Sequence, residues 1–287
     1  MATRYSWTLA ATCALTGFAL ALAALALGFA SPASSMGSTA NSLQFGCAYN
    51  TTKAVDPFVD PNHKHDLYGS KPLYEDTTYR DLLRNRSTSC YVRSTHAAYW
   101  SPQAREGRGE IKTPRSVSVY YEDLNKEDAR MRLYPQGARM IASAKNGQVS
   151  YRCGGEGSRI VKEVPYGCKK DTYRVVLTFP NCWSGSGLGP AQFKYVRPDT
   201  GRVNCGGAYP ARLPDFRMAI HYPNGDHRLE RPLQFSAGNG TWEGASFVHA
   251  DRFGADTEAF RRLERRCFLN KPHDAPTPKE CNHLGPS

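Results

Sequence analysis

Neither a C-x-x-C pair nor a C-x-x-C followed by H-x-x-x-H occurs anywhere in the 287 residues, which excludes the ligand spacings of structural zinc modules. A G-x-S-x-G elbow is also missing, because neither Ser184 nor Ser186 has glycine on both sides at that spacing, so a serine esterase has no support. The lone glycine-rich stretch, Gly185-Ser-Gly-Leu-Gly189, follows Cys182 without the strand–helix setting of a phosphate loop and reads as a turn. No Ser/Gly/Pro-rich linker divides the middle of the chain, so residues 47–270 are expected to form one domain. Acidic residues are the minority: 37 Lys and Arg face 26 Asp and Glu, a formal charge of +11. The basic residues make no block, yet a surface of this sign favours anionic polymers such as acidic wall polysaccharide, phospholipid or nucleic acid.

Long apolar runs are lacking too, with one exception. From Trp7 to Ala30 the chain carries no charge, Arg4 is the only basic residue ahead of it, and small residues follow at Ser31, Ala33, Ser34 and Ser35. Residues 1–33 therefore read as a signal peptide cut after Ala30 or Ala33, the other reading being an uncleaved N-terminal anchor. Either way the remainder is expected outside the cytoplasm, secreted or at the cell surface. Removing the segment takes away Cys13 and leaves eight cysteines. An even set in an exported chain is most simply four disulfides, which argues against thiol catalysis. Cys153 with Cys168 and Cys182 with Cys205 are the expected pairs, since each brackets turn-rich sequence between strands.

Strand signals dominate after residue 110. Tyr173, Val175, Leu177 and Phe179 alternate with more polar residues, and Phe216, Met218, Ile220 and Tyr222 repeat the same period of two. Ser116–Tyr121 and Gln192–Val196 are further candidates. Asn146-Gly147 stands between Arg139-Met-Ile-Ala142 and Val149-Ser-Tyr-Arg152, and Asn224-Gly225 between the Phe216 strand and Leu229–Phe235; both are hairpin signals. The expected fold is all-β and antiparallel, a β-sandwich or jelly roll, stapled by disulfides and carrying one or two short helices at Asp76–Arg84 and after Asp256. Residues 271–287 are a polar, Pro-rich tail.

The best chemical candidate is His63-Lys-His-Asp66. In extended backbone His63 and His65 point to one side, so two imidazoles can converge on a metal ion or a sugar hydroxyl, with Asp66 orienting one of them. His249-Ala-Asp251 has the same one-residue spacing. If the fold joins the two stretches, His63, His65 and His249 can ligate a divalent metal ion, and Asp66 and Asp251 add acid–base chemistry. Of the remaining histidines, His221, His227, His273 and His283 read as surface residues and His96 as structural. Tyr99, Trp100, Tyr120, Tyr121, Trp183 and Trp242 offer rings for sugar stacking or for packing.

Taken in order, several stretches resemble the secreted domain-of-unknown-function family numbered nineteen ninety-six. They are Asp56–Gly69 with its H-x-H-D, Ala98-Tyr-Trp100, Tyr134–Ala142, Phe179-Pro-Asn-Cys-Trp183, Pro210-Ala-Arg-Leu-Pro214, Phe235-Ser-Ala-Gly238 and His249-Ala-Asp251. The resemblance spans most of residues 47–270. That family occurs in fungi and actinobacteria, often beside carbohydrate-binding modules, which implies glycan-related work at or beyond the cell wall. The resulting expectation is an extracellular hydrolase or lyase acting on a wall or matrix polysaccharide through the His/Asp cluster. The alternative is a non-catalytic cell-surface or wall-binding protein held by basic and aromatic surface. It gains weight from departures from the family pattern at Ser184, at Pro190–Tyr195 and at Arg252-Phe253. Export argues against nucleic acid as a partner, and membrane contact is expected only through an uncleaved N-terminal segment.

Overall fold

The computed structural model describes residues 41–53, 63–123, 131–154, 158–161, 168, 172–197, 203–223, 231–269 and 281, all within the compact unit Ala40–Ser287. Its main sheet has ten strands: β1 Asn41–Lys53, β2 His65–Gly69, β3 Ala98–Pro102, β4 Ser116–Asp123, β5 Arg139–Ser143, β6 Val149–Cys153, β7 Ile160–Val161, β8 Thr172–Thr178, β9 Asp215–Pro223 and β10 His249–Phe253. All pairings are antiparallel, in the order β5-β10-β3-β2-β1-β4-β9-β8-β6-β7.

The sheet doubles over at β1. Asn41–Ala48 pair with β4 and Tyr49–Lys53 with β2, and the register shifts between Tyr49 and Thr51; such a bulge bends a strand and lets it pass from one layer to the other. The two layers face each other through large rings. Tyr99 of β3 stacks on Phe216 of β9 (centroids 5.9 Å apart, 15° between planes), and Tyr121 of β4 lies 4.9 Å from Phe216. The alternation in the sequence supplies this core: Tyr173, Val175 and Leu177 are buried opposite Tyr222, Ile220 and Met218. Each such side chain contributes about 1.5–3 kcal/mol by leaving water. Gly69 ends β2 at a φ of 78°, where a Cβ would collide with the Ala97 carbonyl oxygen; only glycine fits without strain.

A fully buried Arg252 is the main polar feature of this core. Its Nη2 donates to Asp256 Oδ2 at 3.1 Å and to the Tyr121 hydroxyl at 3.2 Å, and its guanidinium lies 4.8 Å from the Tyr134 ring centroid. Cation–π attraction and an ion pair thus offset the cost of burying this charge.

Both Asn-Gly signals differ from expectation. Gly147 does take a positive φ of 68°, but β5 pairs with β10 and β6 with β8, so the turn crosses between layers instead of closing a hairpin. Gln148 redirects it, accepting from the Ser143 amide through Oε1 and donating through Nε2 to the Thr178 carbonyl. Asn224-Gly225 lies outside the described residues, and the strands flanking it, β9 and Leu233–Ser236, belong to different sheets. The expected strand at 192–196 shrinks to Phe193–Lys194, because Pro190–Gln192 form a 3-10 turn.

Four disulfides staple the domain: the expected Cys153–Cys168 and Cys182–Cys205, with Cys47–Cys90 and Cys267–Cys281. The first helix, α1, is Tyr79–Arg84, shorter than expected because Thr78 and Asp81 form a capping box at its start. The second, α2, is Glu258–Glu264 capped by Thr257 and continued by a π-helical turn, Arg265–Leu269. Among the described residues no helix is long and apolar enough to cross a membrane. Residues 1–33 and all of the tail except Cys281 lie outside the described residues.

Candidate functional site

Strand register builds the site. β3 runs between β2 and β10, with His65 opposite Pro102 and Asp251 opposite Trp100. Continuing that antiparallel register by two residues brings His249 into line with Pro102, so His65 and His249 flank one proline on one face of the layer. A compact side chain there lets the two imidazoles meet above it. His63 is fixed by the residue after it: the Lys64 amide donates to Ser236 Oγ at 3.0 Å, and the Lys64 carbonyl accepts from the Gln103 amide at 2.8 Å. The result is a close trio. His249 Nε2 lies 3.4 Å from His65 Nε2 and 3.5 Å from His63 Nε2, the His63 and His65 ring centroids are 4.0 Å apart, and one ligand nitrogen from each residue falls within 4.8 Å of the others.

These separations fit a metal ion. Two nitrogens each about 2.0–2.1 Å from a tetrahedral ion stand about 3.3–3.4 Å apart. The tautomer of His249 suits the same role, since its Nδ1 lies 3.2 Å from the Phe247 carbonyl oxygen. A proton on Nδ1 donates there and leaves the Nε2 lone pair facing the other two rings. The pKa of the His249 imidazole is lowered to about 4, mainly by burial and further by its neighbours His63 and Lys145, against the opposing bond to the Phe247 carbonyl. Phe247 also packs edge-on against His63 and His249, at 5.8 and 5.7 Å between centroids. Asp251 supplies an oxygen beside the nitrogens, with Oδ2 3.6 Å from His249 Nε2. His63 and His65 are buried and His249 keeps 15 % side-chain exposure, so the trio opens to solvent on the His249 side.

Asp66 is not brought to the histidines. It follows His65 directly in β2, and adjacent strand residues point to opposite faces. Its Oδ1 accepts from Thr52 Oγ1 at 2.6 Å, and its charge is felt by Tyr68 and Tyr222 between the layers. Burial raises its carboxyl to about 7 despite the Thr52 bond.

Other expectations sort themselves by burial. His221 is buried with its Nε2 2.9 Å from Ser118 Oγ, not on the surface, because β9 is covered on both faces. His96 is structural, its Nδ1 3.1 Å from the Leu82 carbonyl oxygen. Tyr99, Trp100 and Tyr121 are fully buried, and Trp183 lies against Phe193, so these rings pack the fold. His227, His273, His283 and residues 56–62 lie outside the described residues. Two further contributors to the site emerge from the pairing: Lys53 is opposite His65 across β1 and β2 and carried no sequence signal, and Ser236, within the stretch Phe235–Gly238 noted in the sequence, reaches the Lys64 amide from a distant strand.

No curated protein and no solved structure matches the chain. Residues 55–255, which contain the three histidines and Asp251, match the family described as Domain of unknown function (DUF1996), and the chain belongs to that family.

Proposed function

We propose that this is an extracellular, metal-dependent protein acting on a cell-wall or matrix polysaccharide, with a single divalent transition-metal ion held by Nε2 of His63, His65 and His249. The observation that carries the reading is the convergence of three imidazoles, with Nε2 of His65 and of His63 at 3.4 and 3.5 Å from His249 Nε2. Three neutral imidazoles leave the ion its full double charge, and such an ion acts as a Lewis acid toward a sugar or water oxygen. Asp251 is the carboxylate that can ligate the ion or accept a proton beside it. Four disulfides support an oxidising, extracellular setting. The net charge of +11 favours a second reading, non-catalytic binding to an anionic wall polymer.

Incubating the purified protein, with and without Zn2+, Mn2+ or Cu2+, with acidic and neutral polysaccharides separates the two. New reducing ends or unsaturated uronates that disappear in His65→Ala support catalysis. Salt-sensitive binding that yields no product supports the binding reading.

A further inference from the structure

A groove of about 430 Å3 opens on the same face as the histidines, within the size range of small-ligand sites. Cross-strand partners share a face, and Lys53 is opposite His65 while Thr51 is opposite Leu67. Thr51, Lys53 and Leu67 all line the groove. Leu67 is two residues from His65, about 7 Å along the strand, so one chain of linked sugars can touch both the groove and the histidines.

The lining is suited to an acidic sugar. Lys53 and Lys71 contribute two ammonium groups, no carboxylate lines the groove, and among the described residues neither lysine has an acidic partner. Ser87 adds a hydroxyl, while Ser70 and Asn85 shape the wall, Ser70 Oγ donating to the Ser87 carbonyl and Asn85 Nδ2 to the Lys71 carbonyl. Asn50 donates through Nδ2 to the Gly69 carbonyl at 3.1 Å, which holds it in the groove wall. At the rim, Tyr74 is 55 % exposed, with Lys53 Nζ 4.9 Å from its ring centroid. An exposed aromatic face beside a cation suits the apolar face and the acid group of one sugar ring.

We propose that this groove is a subsite for an acidic sugar, whose carboxylate or sulfate is held between Lys53 and Lys71 and whose ring lies against Tyr74. The proposal rests on the preceding reading for its glycan substrate and narrows that substrate to acidic polysaccharide. Lysine binds such groups as a point charge, so the subsite selects charge before shape.

The test is calorimetric titration of the purified protein with trigalacturonate, a chondroitin sulfate tetrasaccharide and cellotriose, at low and high salt. Trigalacturonate or the sulfated sugar should bind and cellotriose should bind at least about tenfold more weakly. The Lys53→Gln/Lys71→Gln variant should lose about tenfold or more of the acidic-sugar affinity and most of its salt dependence, because charged hydrogen bonds are removed. Stronger binding of one acidic ligand identifies carboxylate or sulfate as the group recognised. Equal binding of neutral and acidic sugars, or an unchanged double variant, overturns the subsite. Cobalt binding measured on the same variant keeps the two ideas apart. A protein that binds no cobalt but shows lysine-dependent uronate binding overturns the metal centre and leaves the subsite standing.

Discussion

Replacing His249 by alanine tests the metal centre most directly, because its Nε2 is the nitrogen shared by both short separations, 3.4 Å to His65 and 3.5 Å to His63. Those distances are already near the edge of a tetrahedron around a metal ion, so binding needs little rearrangement. A ligand at about 100 times its dissociation constant stabilises the folded state by about 2.7 kcal/mol. For a domain of this size about 1 kcal/mol moves the midpoint by about 2–4 °C. Chelator-treated protein should therefore gain about 5–11 °C in Tm when Zn2+ or Co2+ is restored at that ratio. His249→Ala keeps two imidazoles and should show little of this gain at the same metal concentration. Differential scanning calorimetry reads the shift, and the visible absorption of bound Co2+ gives the coordination number independently. An unchanged midpoint in the natural protein, or the same gain in His249→Ala, would refute the assignment.

Three other outcomes follow from the fold. Closing a loop over a sequence separation of 43 removes more unfolded-state entropy than closing one of 14. Removing Cys47–Cys90 should therefore cost about 4 kcal/mol against about 3 for Cys267–Cys281 in denaturant titrations, and the reverse order would contradict it. His221 has its pKa lowered to about 4 by burial and by Arg174 and Arg115. The unfolded chain takes that proton first, near 6.5, so stability present above 6.5 is lost as pH falls toward 4. The loss is about 3 kcal/mol, and His221→Gln should flatten the acid limb of the stability profile relative to the natural protein. Arg252→Met leaves the buried Asp256 carboxylate without its cation and should cost about 3–5 kcal/mol in chemical unfolding; a loss under about 1 kcal/mol would contradict the ion pair as a source of stability.

The parts of this fold that were legible from sequence are those written in local periodicity. The period of two in Tyr173–Phe179 and Phe216–Tyr222 yields β8 and β9, paired with each other and buried. The even cysteine count after the apolar leader pointed to disulfides, and the two expected pairs, Cys153–Cys168 and Cys182–Cys205, are bonded. Long-range pairing was not legible. Asn146-Gly147 bends the chain as such dipeptides do, yet whether it closes a hairpin depends on which neighbours β5 and β6 find: β5 pairs with β10, far along the chain, and β6 with the next two strands, β7 and β8. His221 differs for a similar reason: a residue opposite the apolar face is exposed only if nothing covers it, and here it is buried, with its Nε2 against Ser118 of the neighbouring strand β4.

The histidine site shows the same division at finer scale. His63 with His65, and His249 with Asp251, were readable as pairs because a one-residue spacing puts two side chains on one face; that rule also removes Asp66. What joins the pairs lies inside the protein. On β10 the outward residues His249 and Asp251 alternate with inward Ala250 and Arg252. A slip of one residue would turn the histidine into the core and the arginine out of it. Arg252 opposes such a slip, since its guanidinium finds the Tyr121 hydroxyl, the Asp256 carboxylate and the Tyr134 ring in only one register. The buried arginine thus fixes where His249 emerges, and the register of β3 sets it across Pro102 from His65. The same register carries the row outward to Lys53, which is why a basic groove and three imidazoles, encoded by segments far apart in sequence, share one face.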